Sequence, residues 1–492
     1  MTHFVTIGTT AACAAILSTM PAMADVTPQQ VWQSWQDIIE RTEGATVTVG
    51  ALNQSADELI ASDVVYTVVN DGTTSAMTVS TITLQDNGDG TVSVVLPDNI
   101  PLRVITNAGE DLDMYLAQTD AETQVSGAPD AMNYTVSAAQ YVIGVNQMTD
   151  IDGNPVPLEL RVALNGLSGT TDQTTGDTVN VVYDLTADSL DLLVDGVDRS
   201  TGDELTVSGK IDGLELDADV ILPEADVAGG PGMTGSGGYA YTGAAFIFSS
   251  VGDQMTADGT ATTGPVALTF AVDPAGLRYD AAVQDLAAAL RGSELPMPFE
   301  MQMDAYNVGV TMPLGPTEAP APFGFQFGMD GVTVNDEAWA MVDPGGMIPR
   351  DPASLTIDID GTAQLTQSLM DTPENTQMQG FPGRLLGLNI NEISLNAAGA
   401  LLNAVGAFTF NENGPQTAPG IPAAQGEATI TLEGANQLID SLIAMGVVPQ
   451  DQAMMGRMML GMFTSPVGDD TLETVIKVTP DGQVLANGQR IR

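Results

Sequence analysis

Cysteine and histidine are missing from almost the whole of this sequence: each occurs once, as Cys13 and His3, and neither recurs after residue 24. Without thiol or imidazole, the remaining chain cannot build a Ser-His-Asp or Cys-His site, a histidine-ligated zinc site or a structural disulfide. Lysine is nearly absent too, with only Lys210 and Lys477. A Ser-Lys hydrolase would need one of them as its base, but Val207 and Thr474 stand where a Ser-x-x-Lys frame needs serine. Both lysines read as solvated strand charges. Thirteen Lys plus Arg face sixty-three Asp plus Glu, a net charge of −50. With no basic patch to release counterions, such a surface repels nucleic acid and anionic lipid headgroups. Beyond the first two dozen residues no run of eighteen uninterrupted apolar residues exists, so no helix there is expected to span a membrane.

What is present begins with the acids themselves. They suit binding of cations or a cationic partner, or simply hydration in a salty medium where self-repulsion is screened. Their spread along the whole chain favours the second reading. Residues 4–20 are apolar or small and uncharged, and Ala22 and Ala24 supply the small side chains that a signal peptidase requires. The expectation is a signal peptide over residues 1–24, cleavage before Asp25, and a periplasmic or secreted protein. The leader has no Lys or Arg, only His3 and the free amine. Thr10-Ala11-Ala12-Cys13 is a poor lipoprotein cleavage box.

From Thr27 the sequence reads as a helix: Thr27 as N-cap, Pro28 at the first helical position, Gln30 completing a capping box, then Trp32, Trp35 and Ile39 at helical spacing until Gly44. The two indoles are expected to dock this helix onto the body. After Thr46 the period changes to two. Residues 64–69, 77–84 and 91–96, punctuated by Asp71-Gly72 and Asp89-Gly90, read as consecutive hairpins. Further strands are expected at 158–164, 179–185, 190–194, 266–272, 355–359, 388–395, 405–410, 428–432, 472–478 and 484–486. Leu214, Leu216, Ala218, Val220 and Leu222 alternate with Glu215, Asp217, Asp219 and Ile221, which gives one greasy and one mostly acidic face. Residues 281–291 fit helix or strand, with a lean to strand. Helices return at 435–445 and 451–463 as a hairpin. The fold class expected is mainly β: a large curved antiparallel sheet, trough or sandwich-like, with an N-terminal helix and a C-terminal helical hairpin. Residues 25–492 form one extended β-rich domain, or two halves divided near the Gly-rich run 229–238, which reads as a flexible connection and not a phosphate loop. Residues 313–322, rich in proline, read as a stiff turn.

Four groups of residues invite chemistry. Met454, Met455, Met458, Met459 and Met462 could ligate Cu(I), but without a neighbouring histidine they read as packing or groove lining. Asp150-Ile151-Asp152-Gly153 and Asp358-Ile359-Asp360-Gly361 resemble the start of a calcium loop without its third acid or distal Glu, so both read as turns. Paired carboxylates could serve a glycosidase, yet no pair can be chosen among sixty-three. Pro349-Arg350-Asp351-Pro352 suggests a rigid corner with a local Arg350–Asp351 ion pair and Trp339 beneath it. No catalytic, cofactor-binding or metal-ligating residue is assigned.

Several stretches carry a resemblance: Leu295-Pro296-Met297-Pro298-Phe299, Met312-Pro313-Leu314, the run from Ala338-Trp339 through Pro344-Gly345-Gly346 to Ile348-Pro349-Arg350-Asp351-Pro352-Ala353, and Asp25-Val26-Thr27-Pro28-Gln29-Gln30-Val31-Trp32 after the leader. They resemble domain-of-unknown-function family 2125. That resemblance implies an exported alphaproteobacterial protein without assigned activity or catalytic residues, and it extends through nearly all of the chain after the leader. The C-terminal course of strand, helical hairpin, strand and Asn487-Gly488-Gln489 is similar to AsmA-like envelope proteins, which implies a β-groove associated with lipid handling; the chain departs from that type in that its N-terminal apolar run reads as a cleaved leader, with an uncleaved anchor or a buried helix as the alternatives. The expected function is a non-enzymatic envelope protein that shelters a lipid or other apolar ligand on its sheet. The alternatives are a secreted structural or adhesion module stiffened by calcium, and a carboxylate-dependent hydrolase.

Overall fold

The structure, a computed structural model, describes residues 26–42, 44–197, 201–222, 234–252, 256–274, 276–369, 383–411 and 423–491. The leader, with His3, Cys13 and the cleavage point before Asp25, lies outside the described residues, as do positions 229–233 of the Gly-rich run. The fold is mainly β, with antiparallel pairing throughout and four helices among the described residues. The chain divides into two compact units, residues 1–260 with 292–294, and residues 261–291 with 295–492.

In the first unit, α1 (Pro28–Arg41) precedes β1 (Ala45–Gln54), β2 (Glu58–Asn70), β3 (Thr73–Asp86), β4 (Val92–Val95), β5 (Asn99–Ile105), β6 (Asp111–Thr119), β7 (Glu122–Ala128), β8 (Ala131–Thr149), β9 (Pro155–Val156), β10 (Leu158–Thr175), β11 (Val179–Val197), β12 (Glu204–Leu222), β13 (Thr234–Tyr241) and β14 (Gly243–Val251). Residues 234–238 of the Gly-rich run therefore belong to a strand. The predicted strands 179–185 and 190–194 are one strand, β11. β2 and β3 turn at Asp71 (φ 46°) and Gly72 (φ 79°), the left-handed pair that a two-residue hairpin turn requires. β4 and β5 lie end to end beside β3, and β7 and β6 lie likewise beside β8, so two short strands do the work of one long one on each side.

α1 covers this unit's apolar face. Its capping box is complete: the Thr27 hydroxyl accepts the Gln30 N–H at 3.4 Å, and Gln30 Oε1 accepts the Thr27 N–H at 2.9 Å. Val31 and Trp32 then pack with Leu59, Ala61, Leu84, Val92, Val125, Met132 and Tyr134 in one enclosed core. A buried polar relay anchors the helix: Gln173 Nε2 donates to Ser34 Oγ at 2.7 Å, and Tyr134 donates to Gln173 Oε1 at 3.0 Å. Burial pushes the Tyr134 phenol up to about 12, offset in part by Trp35 and Ser34.

β15 (Thr256–Thr263) carries the chain across the unit boundary. The second unit contains β16 (Val266–Asp273), β17 (Gly276–Gly292), β18 (Phe299–Met312), β19 (Ala321–Val334), α2 (Asp336–Val342), β20 (Ala353–Leu365), β21 (Gly383–Ala397), β22 (Ala400–Asn411), β23 (Ala423–Glu433), α3 (Ala435–Ala444), α4 (Gln450–Phe463), β24 (Ser465–Gly468), β25 (Thr471–Val478), β26 (Val484–Ala486) and β27 (Gln489–Arg490). The ambiguous residues 281–291 lie in strand β17, and the helical hairpin α3–α4 sits between strands. β16 to β23 form a meander in which each strand pairs with the next, and β25 continues it beyond β23. A recurring device occurs in both units: an aromatic ring lies across its strand partner's glycine, as Tyr115 over Gly144, Phe246 over Gly209, Phe323 over Gly361 and Phe408 over Gly426.

The two units differ in how they hide apolar surface. Leu59 and Leu84 are fully enclosed, whereas Ile357 in β20 is half-buried. Leu59→Ala is expected to cost roughly 2–5 kcal/mol and Ile357→Ala well under half of that. Urea unfolding of the two variants checks the difference; equal losses would contradict it.

Candidate functional site

The feature of the second unit with most capacity to act is the apolar side of its meander. Side chains on successive strand positions alternate between faces, and the observed register brings like to like. One row runs Val266–Val283–Tyr306–Met329–Leu355–Leu395–Leu402–Leu432–Leu472, apolar in all nine strands. The next runs Leu268–Ala281–Val308–Phe327–Ile357–Ile393–Ala404–Ile430–Thr474. A third runs Phe270–Tyr279–Val310–Phe325–Ile359–Ile390–Gly406–Ala428–Ile476. Tyr306 meets Phe327 edge to face, ring centroids 5.7 Å apart. Among these residues only Val266, Ala428 and Thr474 are fully buried; the rest are half-buried, and Phe325 and Leu395 are 37% and 44% exposed. The apolar face is therefore incompletely covered along most of its length.

The other face is polar. Asp280, Gln326, Asp358 and Glu392 follow one another across it, as do Asp360, Asn389, Glu427 and Lys477 through Ala407. This corrects the reading of Asp358-Ile359-Asp360-Gly361 as a turn: it lies inside strand β20. Asn389 donates to Asp360 at 2.7 Å, and Asn391 donates to Asp360 at 2.6 Å and to Asp358 at 3.1 Å. The amides of Asn391 and Asn389 hold the Asp360 carboxyl below its usual range. The other candidate, Asp150-Ile151-Asp152-Gly153, is a turn, its Asp150 carboxylate accepting the N–H groups of Asp152 and Asn154 at 3.0 and 2.8 Å. No group of three or more His, Cys, Asp or Glu that could hold a metal occurs among the described residues. Lys477 pairs with Glu427 at 3.2 Å and Lys210 with Asp212, both exposed on strands.

At one end of the meander, the start of β20, the β21–β22 turn, the β23–α3 junction and the start of β25 come together. The corner preceding β20 is organised differently from its sequence reading. Arg350 pairs with Asp336 of α2 at 2.5 Å, not with Asp351. The buried residue is Asp343: its carboxylate accepts the Ile348 N–H at 2.9 Å, and the N–H groups of Met347 and Ile348 hold its pKa below the usual range. Trp339, half-buried in α2, accepts the Asp343 N–H at its carbonyl. Helix α2 itself has no capping box and only seven residues, which is why periodicity did not reveal it. Pro349 lies against Gly399 of the β21–β22 turn. An open cleft of about 760 Å³ lies here, lined by Met347, Asn436, Gln437, Asp440, Ser441, Ala444 and Asp470. A depression of about 610 Å³ in the first unit includes Arg103, but that guanidinium is held in a two-point pair by Asp111 at 2.9 and 2.6 Å.

Asp470 anchors the helical hairpin. Its carboxylate accepts the backbone N–H groups of Asn436 and Gln437 at 3.1 and 2.9 Å and the Asn436 side chain at 2.7 Å, so it caps α3 from a distance in sequence. Partial burial works to raise its pKa; the Gln437 and Asn436 donors outweigh this and set it below the usual range. Arg457 ties α4 to α3 through Asp440 at 2.7 Å and the Asn436 carbonyl at 2.9 Å. The five methionines of α4 do not pack: they are 53–68% exposed, while Ala453 is buried and Arg457, Leu460 and Phe463 are half-buried.

One comparison with known proteins bears on this arrangement. Residues 205–487 match the family of uncharacterised proteins conserved in bacteria, DUF2125. The chain belongs to that family. The matched stretch contains the corner, the meander from β16 to β25 and the helical hairpin, and leaves α1 and β1–β11 outside it. The Trp32 motif of the sequence reading falls in the unmatched part. No curated protein and no solved structure matches the chain.

A carboxylate with a depressed folded pKa adds stability above its unfolded value and loses it as pH falls through the folded one. Hydrogen-exchange protection of the Asn436 and Gln437 amides is therefore expected to persist at neutral pH and to fall below about pH 3.8, the unperturbed Asp value. Asp470→Asn should weaken that protection already at pH 7. Unchanged protection in the variant would remove Asp470 from this role.

Proposed function

We propose that this DUF2125 protein is a non-enzymatic envelope protein that shelters a lipid or other apolar ligand on the open face of its second-unit meander. The observation that supports this reading is the agreement of three successive rows of apolar side chains across nine strands, with most of those side chains incompletely buried. Single-layer sheets with a bare apolar face are poorly stable in water and prone to associate, so such a face calls for a cover. Acyl chains suit it because the rows offer only apolar contacts, with Tyr279, Tyr306 and Thr474 as the polar exceptions. The opposite, carboxylate-bearing face and the charge of −50 keep the protein dispersed and hold it away from nucleic acid and anionic membrane surfaces. Ligand exchange would then occur by collision with neutral or protein-bound donors.

The apolar stretch 4–20 with Ala22 and Ala24 supports export to the periplasm or outside the cell. Expressed with its full sequence in a bacterial host, it should be recovered from the periplasm with Asp25 as its first residue; cytoplasmic recovery with an intact Met1 would defeat the export reading. Mass spectrometry of small molecules retained by the natively purified protein is expected to find acyl lipids. Phe327→Lys with Ile357→Lys places two charges in the middle row and should weaken binding of a fluorescent fatty acid about tenfold or more. Absence of both retained lipid and saturable binding would end this proposal.

A further inference from the structure

The outward side of α4 is separate from the sheet face and raises its own question. At about 100° per residue, Met454, Met455, Met458, Met459 and Met462 occupy roughly 140° of the helix circumference. They stand opposite Ala453, Arg457, Leu460 and Phe463, the residues that are buried or half-buried. Five methionines on one helix, each more than half exposed, form an apolar stripe that the hairpin itself does not use. Val447, at the tip of the hairpin, is also 58% exposed.

We propose that this methionine stripe is a docking site for a cationic amphipathic segment of a partner protein. Charge selects the partner. Residues 435–470 contain four Asp and a single Arg. That Arg, Arg457, is on the inward side and bound to Asp440, so no cation is left to face an incoming chain. Asp451 falls within the arc of the methionines at the start of α4, Asp440 is exposed on α3, and Asp469 is exposed in the β24–β25 turn. A partner with Lys or Arg flanking an apolar stripe matches this pattern, whereas an acidic one is repelled. The same distribution argues against a membrane as the occupant, because a helix lying in a bilayer interface uses cations to meet the headgroups. Methionine selects the mode. Unbranched, polarisable side chains adapt to differing shapes and give a pliant surface, suited to an amphipathic helix laid along the stripe. Two clips, Arg457 to Asp440 and Asp470 to the start of α3, hold the hairpin while leaving the stripe uncovered.

The test uses the full chain and a fluorescein-labelled eighteen-residue Leu/Lys peptide with helical amphipathic order, against a scrambled peptide of the same composition. Fluorescence anisotropy should show saturable binding of the ordered peptide and at least about tenfold weaker binding of the scrambled one. Met454→Gln, Met458→Gln and Met462→Gln together leave the charge unchanged and should weaken binding about tenfold or more. The corresponding triple Leu variant should stay within about threefold of the parent, which shows that the loss is one of apolar surface and not of folding. Asp451→Lys should weaken binding and flatten its salt dependence. Equal binding by the triple Gln variant, or equal affinity for the scrambled peptide, reduces the effect to non-specific attraction and overturns the proposal. Flotation of the parent, but not the triple Gln variant, with phosphatidylcholine vesicles assigns the stripe to membrane and overturns it as well.

Discussion

In the second unit, apolar side chains lie one above another across nine strands because the period of a β-strand and the register of its neighbours agree over the whole meander. Every other property of this unit depends on that agreement. A slip of one residue between two strands would carry the apolar side chains of the displaced strand to the carboxylate side; in β20 it would bring Asp358 and Asp360 onto the apolar one. Bulges at Asp358/Ile359 and Ile390/Ile393 absorb an extra residue without such a slip. The rows remain continuous on either side of them.

The first unit meets the same requirement differently. There α1 supplies the cover, so Leu59, Leu84 and Val92 reach full enclosure, and the Tyr134–Gln173–Ser34 relay pairs three of the polar side chains that the cover buries. The second unit has no comparable enclosed cluster among the described residues. Alanine is the commonest of its buried side chains, and others, such as Leu365 and Val478, lie at strand ends. An exposed face of that size is a cost in an isolated protein and an asset in one that carries an apolar cargo. The match to DUF2125 contains this meander and leaves α1 with its enclosed core outside it.

Much of this was readable from residues in order. The capping box at Thr27, the Asp71-Gly72 turn and the alternation at 214–222 each rest on neighbours in sequence, and each appears in the structure where local rules place it. For β17 helix and strand both stayed open with a lean to strand, because the alternation of sides shifts at Asp285, a residue with φ 50°, and Val283, Leu286 and Leu290 therefore fall at helical spacing. β19 was missed: Gly324, Gly328 and Gly331 interrupt it, and the loss of propensity is offset by pairing with distant strands, as where the Phe323 ring lies across Gly361, which no local window can detect. β5, β6 and β7 escaped for a related reason, since they are short strands set end to end beside a longer one.

Sequence alone determined the chemistry that is out of reach, the sign of the surface and the preference for antiparallel sheet, because these follow from residue type and from spacing between near neighbours. Tertiary structure decided the rest. It placed Asp358 and Asp360 under asparagine amides inside a strand, gave Arg350 to Asp336 and the corner to buried Asp343, and turned the α4 methionines outward. Each of these outcomes depends on which distant backbone donor or side chain arrives at the same place. Whether an apolar face is closed or open is the clearest case: alternation gives a strand its two sides, but only the arrival or absence of another layer determines how much water remains on one of them.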